Sequence, residues 1–290
     1  MTATTSQQPL RAGEGRDTRL AQLIVSLFGL YARAEGNWLS VASLVAMSAD
    51  LGGDGQATRS SISRMKRRGI LLSERHGGAA GYSASASTLD VLAEGDVRIF
   101  ERRRATLEDG WVLVVFSVPE AERDKRHALR ASLTRLGFGT AASGVWLAPG
   151  NLAAEARHAL QRRDLHHYVD IFTGDYLAFG DLRTEVTAWW DLDELAALYA
   201  DFLQRFRPAL HHCTEGTLTP HEAFCIFVPM VTQWRQLPYR DPGLPLAVLP
   251  PAWNGEAAGE LFDALHDALA PLAQRHAMRL IHGTATKPSR

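Results

Sequence analysis

Gln56-Ala57-Thr58-Arg59-Ser60-Ser61-Ile62-Ser63-Arg64-Met65-Lys66-Arg67-Arg68 is the stretch on which the fold turns. On a helical wheel Arg59, Ser60, Ser63, Arg64 and Arg67 share an arc of roughly 140°, and Ser61, Ile62 and Met65 lie opposite. Asp54 stands where an N-cap belongs and Gly69 where a helix stops. Arginine forks match guanine edges and short hydroxyls allow close approach, so the polar face predicts a helix seated in a major groove. The plain alternative is a solvated charged face on an ordinary helix.

Working outward from this helix, the flanks favour the first reading. Upstream, Leu20, Leu23, Ile24, Leu27, Phe28 and Tyr31 recur at helical spacing from Thr18 to Arg33, and Gly36-Asn37 ends that run. Trp38-Leu39 reads as a short extended piece. Ser40 then caps a helix to about Ala49, closed by the turn at 51–54. Downstream, Ile70-Leu71-Leu72 and Tyr82-Ser83-Ala84 flank a basic, Gly-rich turn and predict a β-hairpin. Three helices followed by a hairpin are the order of a winged helix-turn-helix, placed at residues 17–86. The expected DNA contacts are Gln56, Arg59, Ser60, Ser63, Arg64, Arg67 and Arg68 on the helix. Arg75 and His76 belong to the wing, at phosphate or minor groove.

The rest of the chain changes texture. Residues 1–16 are polar and predict a disordered arm, and 87–110 a linker helix running from Thr88 to about Arg104. Trp111-Val-Leu-Val-Val-Phe-Ser-Val118 is a continuous apolar, β-branched run, as a buried strand requires. A helix over 120–136, an extended stretch ending at Val145-Trp146-Leu147, a helix over 151–162 and a strand at 168–172 follow. That β-α-β-β-α-β order predicts a ferredoxin-like domain over 111–180. Three amphipathic helices (192–206, 220–236 and 255–276) predict a C-terminal helical effector and dimerisation domain over 181–278, then a flexible tail, 279–290. The predicted fold class is therefore α+β multidomain.

Charge is distributed in the same sense. The formal net charge is −1, but Arg59 to Arg75 holds six cations against the single anion Glu74. Residues 181–290 hold nine cations and thirteen anions. A localised basic block on a near-neutral chain is compatible with a DNA-reading module and an acidic partner module. Two cysteines exclude a disulfide framework, and neither an apolar leader nor a membrane-length run is present, so the expected location is the cytoplasm.

Enzyme chemistry is poorly supported. No phosphate loop, nucleophile elbow or HExxH motif occurs. A ferredoxin-like metal nuclease of the CRISPR-associated type needs an Asp at the end of its first strand. Here Val115-Phe116-Ser117-Val118 offers no carboxylate, and a hydroxyl cannot replace one on a hard cation. His211, His212, Cys213, His221 and Cys225 match no common zinc spacing and read as a helix start with a buried cysteine. Neither a metal nor a cofactor is expected, and the protein is expected not to be an enzyme.

The chain resembles the PaaX family, the repressors of phenylacetic acid degradation operons. The resemblance is carried by Thr18-Arg19-Leu20 with 27–31, by 59–71, by Gly81-Tyr82 and by Gly95 to Arg98. It continues in Phe116-Ser117-Val118-Pro119-Glu120, Leu136-Gly137-Phe138-Gly139, Gly144-Val145-Trp146, Trp234-Arg235 and Asp241-Pro242-Gly243-Leu244-Pro245. What it implies is a homodimer on a palindromic double-stranded operator, without a membrane partner. Release would follow binding of an aryl-acyl-CoA, typically phenylacetyl-CoA. For that effector Trp234, Tyr239 and Trp253 offer aromatic surface and Arg235 and Arg240 offer phosphate-binding cations; the alternative is that the tryptophans are core. The enzyme-class rival is an acyl-CoA-binding hydrolase such as a thioesterase.

Overall fold

A computed structural model describes residues 12–101, 103–177 and 179–283. It is a mixed α and β structure with two small antiparallel sheets, one of three strands and one of four. The chain divides into two compact units.

The first unit holds the described residues of Met1–Glu94, Ala209–Thr232 and Ala264–Arg290. Helix α1 (Ala12–Leu27) begins ahead of the expected Thr18 start, so residues 12–16 of the anticipated arm are helical. Gly13 and Gly15 hid this, because two glycines lower intrinsic propensity while packed later turns propagate the helix backwards. Residues 1–11 lie outside the described residues. α1 widens into a π turn at Phe28–Ala32 and ends through Gly36 and Asn37, whose φ values of 74° and 58° are left-handed. Asn37 then bonds both backbone groups of Ala84, its amide to the carbonyl at 2.9 Å and its oxygen to the N–H at 3.2 Å.

β1 (Trp38–Ser40) leads into α2 (Val41–Asp50), where Ser40 accepts the N–H of Ser43 at 2.9 Å as the cap. α3 (Gly55–Arg67) follows, then β2 (Leu71–His76) and β3 (Ala79–Ala84). The sheet order is β1-β3-β2, with His76 opposite Ala79 across the two-residue turn Gly77-Gly78. Both turn glycines have positive φ, 54° and 84°, the requirement of the tight turn that matches strand twist. Ile24, Leu27, Leu39, Leu44, Met47 and Ile62 form the buried interior.

α4 (Ala86–Phe100) begins in this unit. The unit is completed from far along the chain. Tyr31 stacks on Phe224 at 5.9 Å, Thr232 donates to Ser26 at 2.7 Å, and Ser43 donates to the carbonyl of Leu280 at 3.1 Å.

The second unit holds Gly95–Pro208 and Gln233–Asp263. β4 (Trp111–Phe116), α5 (Arg123–Arg135), β5 (Gly139–Ala142), β6 (Val145–Pro149), α6 (Ala153–Arg162) and β7 (Val169–Gly174) follow in order. Their sheet order is β5-β6-β4-β7, every neighbouring pair antiparallel. Val112, Val114 and Phe116 point into a core with Leu129, Leu133 and Leu160 of the two helices. Leu113 and Val115 point the other way and are half-buried, and Phe172 is 56% exposed. Helices α5 and α6 thus cover one face of β4, and on the other Trp111 is buried against Trp189 and Trp190, with ring centres 6.0 and 6.2 Å away.

α7 (Leu182–Trp189), α8 (Leu192–Thr214), α9 (Pro220–Trp234) and α10 (Asn254–Gly283) complete the structure. The last three each contribute residues to both units, so the helical region expected over 181–278 is shared between them. Helical residues also reach Gly283, shortening the tail expected from 279.

Candidate nucleic-acid interface

α3 is fastened at its start and along one side. Asp54 accepts the N–H groups of Gln56 and Ala57, both at 2.9 Å, and Thr58 donates its hydroxyl to the carbonyl of Asp54 at 2.8 Å. Thr58, Ser61, Ile62 and Met65 are buried. That leaves Gln56, Arg59, Ser60, Ser63, Lys66, Arg67 and Arg68 exposed to solvent. The amphipathic division read from the wheel is the one the packing produces. Lys66 is an exposed cation absent from the expected contacts, although the sequence placed it in the same basic run.

Arg64 behaves differently from its neighbours. Its Nη2 lies 2.7 Å from Oδ1 of Asp17 on α1, with the two side chains 39% and 49% exposed. Part of its charge is already answered within the protein. Arg59 turns its Nη1 back to the carbonyl of Gly55 at 3.2 Å, a contact that leaves its charge free. Cations in the last turn also suit the negative end of the helix dipole, which gives Arg64, Lys66 and Arg67 a local stabilising role as well.

On the hairpin, Arg75 donates to the carbonyl of Gly78 at 2.6 Å, stiffening the turn. His76 stacks on Trp38 at 4.7 Å and lies 3.3 Å from Glu74. A Cβ on Gly81 would stand 2.4 Å from the Trp38 ring, so the Gly81 position exists to seat that indole. The wing carries Arg75 and His76 as exposed residues.

The five residues expected at an effector do not share one exposed surface. Trp234 is buried, stacked on Phe262 at 4.6 Å, with its N–H given to the carbonyl of Ile99 at 3.3 Å. Trp253 is buried edge-on against Tyr199 at 5.9 Å. Tyr239 lies beneath the guanidinium of Arg98 at 5.2 Å. Arg235 is largely buried, and loss of solvent pulls its guanidinium below the usual arginine range. Arg240 alone is exposed, and its Nη1 meets Glu194 at 2.5 Å. The shared site expected over 234–253 is therefore revised: the two tryptophans are core.

Arg240 instead borders a cavity of about 420 Å³ lined by Phe138, Trp146, Trp189, Trp190 and Leu198. The Trp189-Trp190 pair was visible in the sequence as a doublet. Trp190 gives its N–H to the carbonyl of Gly137 at 2.8 Å, and a Cβ on Gly139 would stand 2.6 Å from its ring. Gly137, at φ 82°, packs on Pro242. Asp241, buried, accepts from Tyr199 at 2.6 Å and from the N–H of Gly243 at 2.7 Å. Arg98, also buried, meets Glu155 at 2.6 Å and donates to the carbonyls of Arg135, Leu136 and Pro238. Arg98 and Asp241 thus act as joints within the second unit, while Gly137 and Trp190 also line the cavity.

Three family models match in succession. Residues 19–88 match PaaX-like protein, 104–186 the PaaX protein central Cas2-like domain and 190–279 the PaaX-like protein C-terminal domain. The chain belongs to the PaaX family. It is similar to the transcriptional repressor PaaX of Escherichia coli strain K12, with 27% identity over 256 residues, 87% of this chain and 80% of that protein. An uncharacterized protein of Mycobacterium tuberculosis, Rv0674, shares the fold at a TM-score of 0.56 and 22% identity, across 91% of this chain and 98% of that one. Among the described residues no helix is long and apolar enough to cross a membrane.

Proposed function

We propose that this protein is a DNA-binding transcriptional repressor of phenylacetate-type aromatic catabolism, a regulator and not an enzyme. The observation that carries the reading is α3, buried on one face by Thr58, Ile62 and Met65 and exposed on the other through Arg59, Ser60, Ser63 and Arg67. Residues 17–86 act as a winged helix-turn-helix. Its N-terminal positions Gln56, Arg59, Ser60 and Ser63 face base edges, and Arg67, Arg68 and the wing hold phosphate. Residues 111–180, with their split β-α-β order and two covering helices, form a ferredoxin-like domain. The protein works as a homodimer on paired half-sites.

The effector is an aryl-acyl-CoA such as phenylacetyl-CoA, and its site is the 420 Å³ cavity bordered by Arg240. That volume lies within the range of small-ligand sites. The indoles of Trp189 and Trp190 suit an aryl ring, and Arg240 can exchange Glu194 for a phosphate or thioester oxygen. Selection of bound duplexes from a random pool tests the first part. Enrichment of an inverted repeat is expected, and recovery of unrelated sequences would refute specific recognition. Titration of the selected duplex complex with phenylacetyl-CoA tests the second. Release is expected from the wild type and not from Arg240→Ala; equal release from both would remove the cavity from the effector's path.

A further inference from the structure

In the first unit, Asp50, His221 and His276 bring three ligand-type atoms within 4.8 Å of one another, although they stand far apart in sequence. His276 Nε2 lies 2.7 Å from Asp50 Oδ2, and His221 Nε2 lies 3.5 Å from Asp50 Oδ1. The two imidazoles meet edge-on with ring centres 5.1 Å apart. Cys225 Sγ stands beside the group, 3.6 Å from His221 Nε2. Zinc bound at about 2.0–2.2 Å by nitrogen and oxygen donors sets neighbouring tetrahedral donors roughly 3.3–3.6 Å apart. Small side-chain rotations would bring these donors to that spacing.

We propose that Asp50, His221 and His276 form a binding site for a divalent transition ion of the zinc class, with water at the remaining position. Two imidazoles and one carboxylate select such an ion over magnesium or calcium, which call for oxygen donors. His276 is buried, whereas the His221 side chain is 52% exposed and leaves an entry side open. Without metal, Arg279 approaches His276 Nδ1 at 3.2 Å as a donor, which puts the ring proton on Nε2 toward Asp50. To bind an ion through Nε2 the ring would shift tautomer, passing the Nε2 proton to solvent water and taking one from water at Nδ1, once the exposed Arg279 side chain has turned away. The bound ion would pin the last residue of α2, just ahead of α3, to α9 and α10.

Calorimetry of the chelator-stripped full chain with zinc chloride tests this, set against a competing chelator. One zinc per chain is expected, with a raised unfolding midpoint. His221→Ala and Asp50→Asn should each weaken binding at least tenfold while circular dichroism shows the fold retained. His166→Ala with His167→Ala, which removes the exposed Asp164–His166–His167 group, should change neither result. No stoichiometric zinc in the wild type would overturn the proposal. So would equal affinity in wild type and His221→Ala, because the ion would then sit elsewhere.

Discussion

Asp17 restrains one cation of the proposed DNA face, and removing it is expected to tighten binding. The Arg64–Asp17 pair is 2.7 Å long but 39% and 49% exposed, so it contributes about 0–1 kcal/mol to folding. Asp17→Ala therefore leaves the protein folded and frees Arg64 to meet a phosphate. One added phosphate contact steepens the dependence of log affinity on log salt by about 0.9, which at 0.1 M salt amounts to roughly three- to tenfold. Fluorescence anisotropy with a selected duplex, from ~50 to ~200 mM salt, measures both quantities. The double variant Asp17→Ala with Arg64→Ala should bind like Arg64→Ala alone apart from the small repulsion that Asp17 exerts on DNA. Arg64→Ala by itself should cost less than Arg67→Ala, since it also discards a competing ion pair. Weaker binding by Asp17→Ala, or an unchanged salt slope with Arg64→Ala as costly as Arg67→Ala, would refute the geometry.

Gly81→Ala would drive a Cβ to 2.4 Å from Trp38 and 2.5 Å from the carbonyl of Leu39, and is expected to cost about 1–3 kcal/mol in urea unfolding. It should also weaken operator binding through the displaced wing. Arg98→Ala strips three carbonyls and Glu155 of their donor and should destabilise by about 3 kcal/mol or more, without direct effect on the DNA face. Trp234→Ala should cost about 3–5 kcal/mol as a buried aromatic, and a near-neutral result would return Trp234 to the ligand's surroundings.

The sequence was most legible where local chemistry decides structure. Asp54 and Ser40 announced two helices because caps act within three residues, and α3 declared its buried side through spacing alone. The Gly-rich stretch 74–81 marked the hairpin, although its strands extend to His76 and from Ala79 and leave only Gly77-Gly78 as the turn. Non-local pairings were illegible. Nothing near Arg64 signals Asp17, and nothing near His221 signals Asp50 or His276, since those contacts arise only when distant helices pack. Trp234 and Arg235 were ambiguous for a related reason. An indole looks the same in a chain whether it stacks on Phe262 in the interior or awaits a ligand, and a guanidinium whether it is buried or exposed. Helix α8 runs on to Thr214, past the 206 boundary that the amphipathic spacing predicts, with Pro208 inside it.

The first unit draws on both ends of the chain, which sets a timetable for synthesis. Leu23, Ile24 and Tyr31 leave the ribosome early, while Phe224 and the residues around Leu280 that help cover this region come much later. At about 5–20 residues per second, the interval between residue 94 and residue 283 is roughly 10–40 s. During that time the nascent helices carry uncovered apolar surface, a natural substrate for a chaperone. A message truncated after the first hundred codons would yield a polypeptide with its basic helix but without its lid, prone to aggregation and degradation. Competence to occupy an operator is thereby deferred until α9 and α10 have been made.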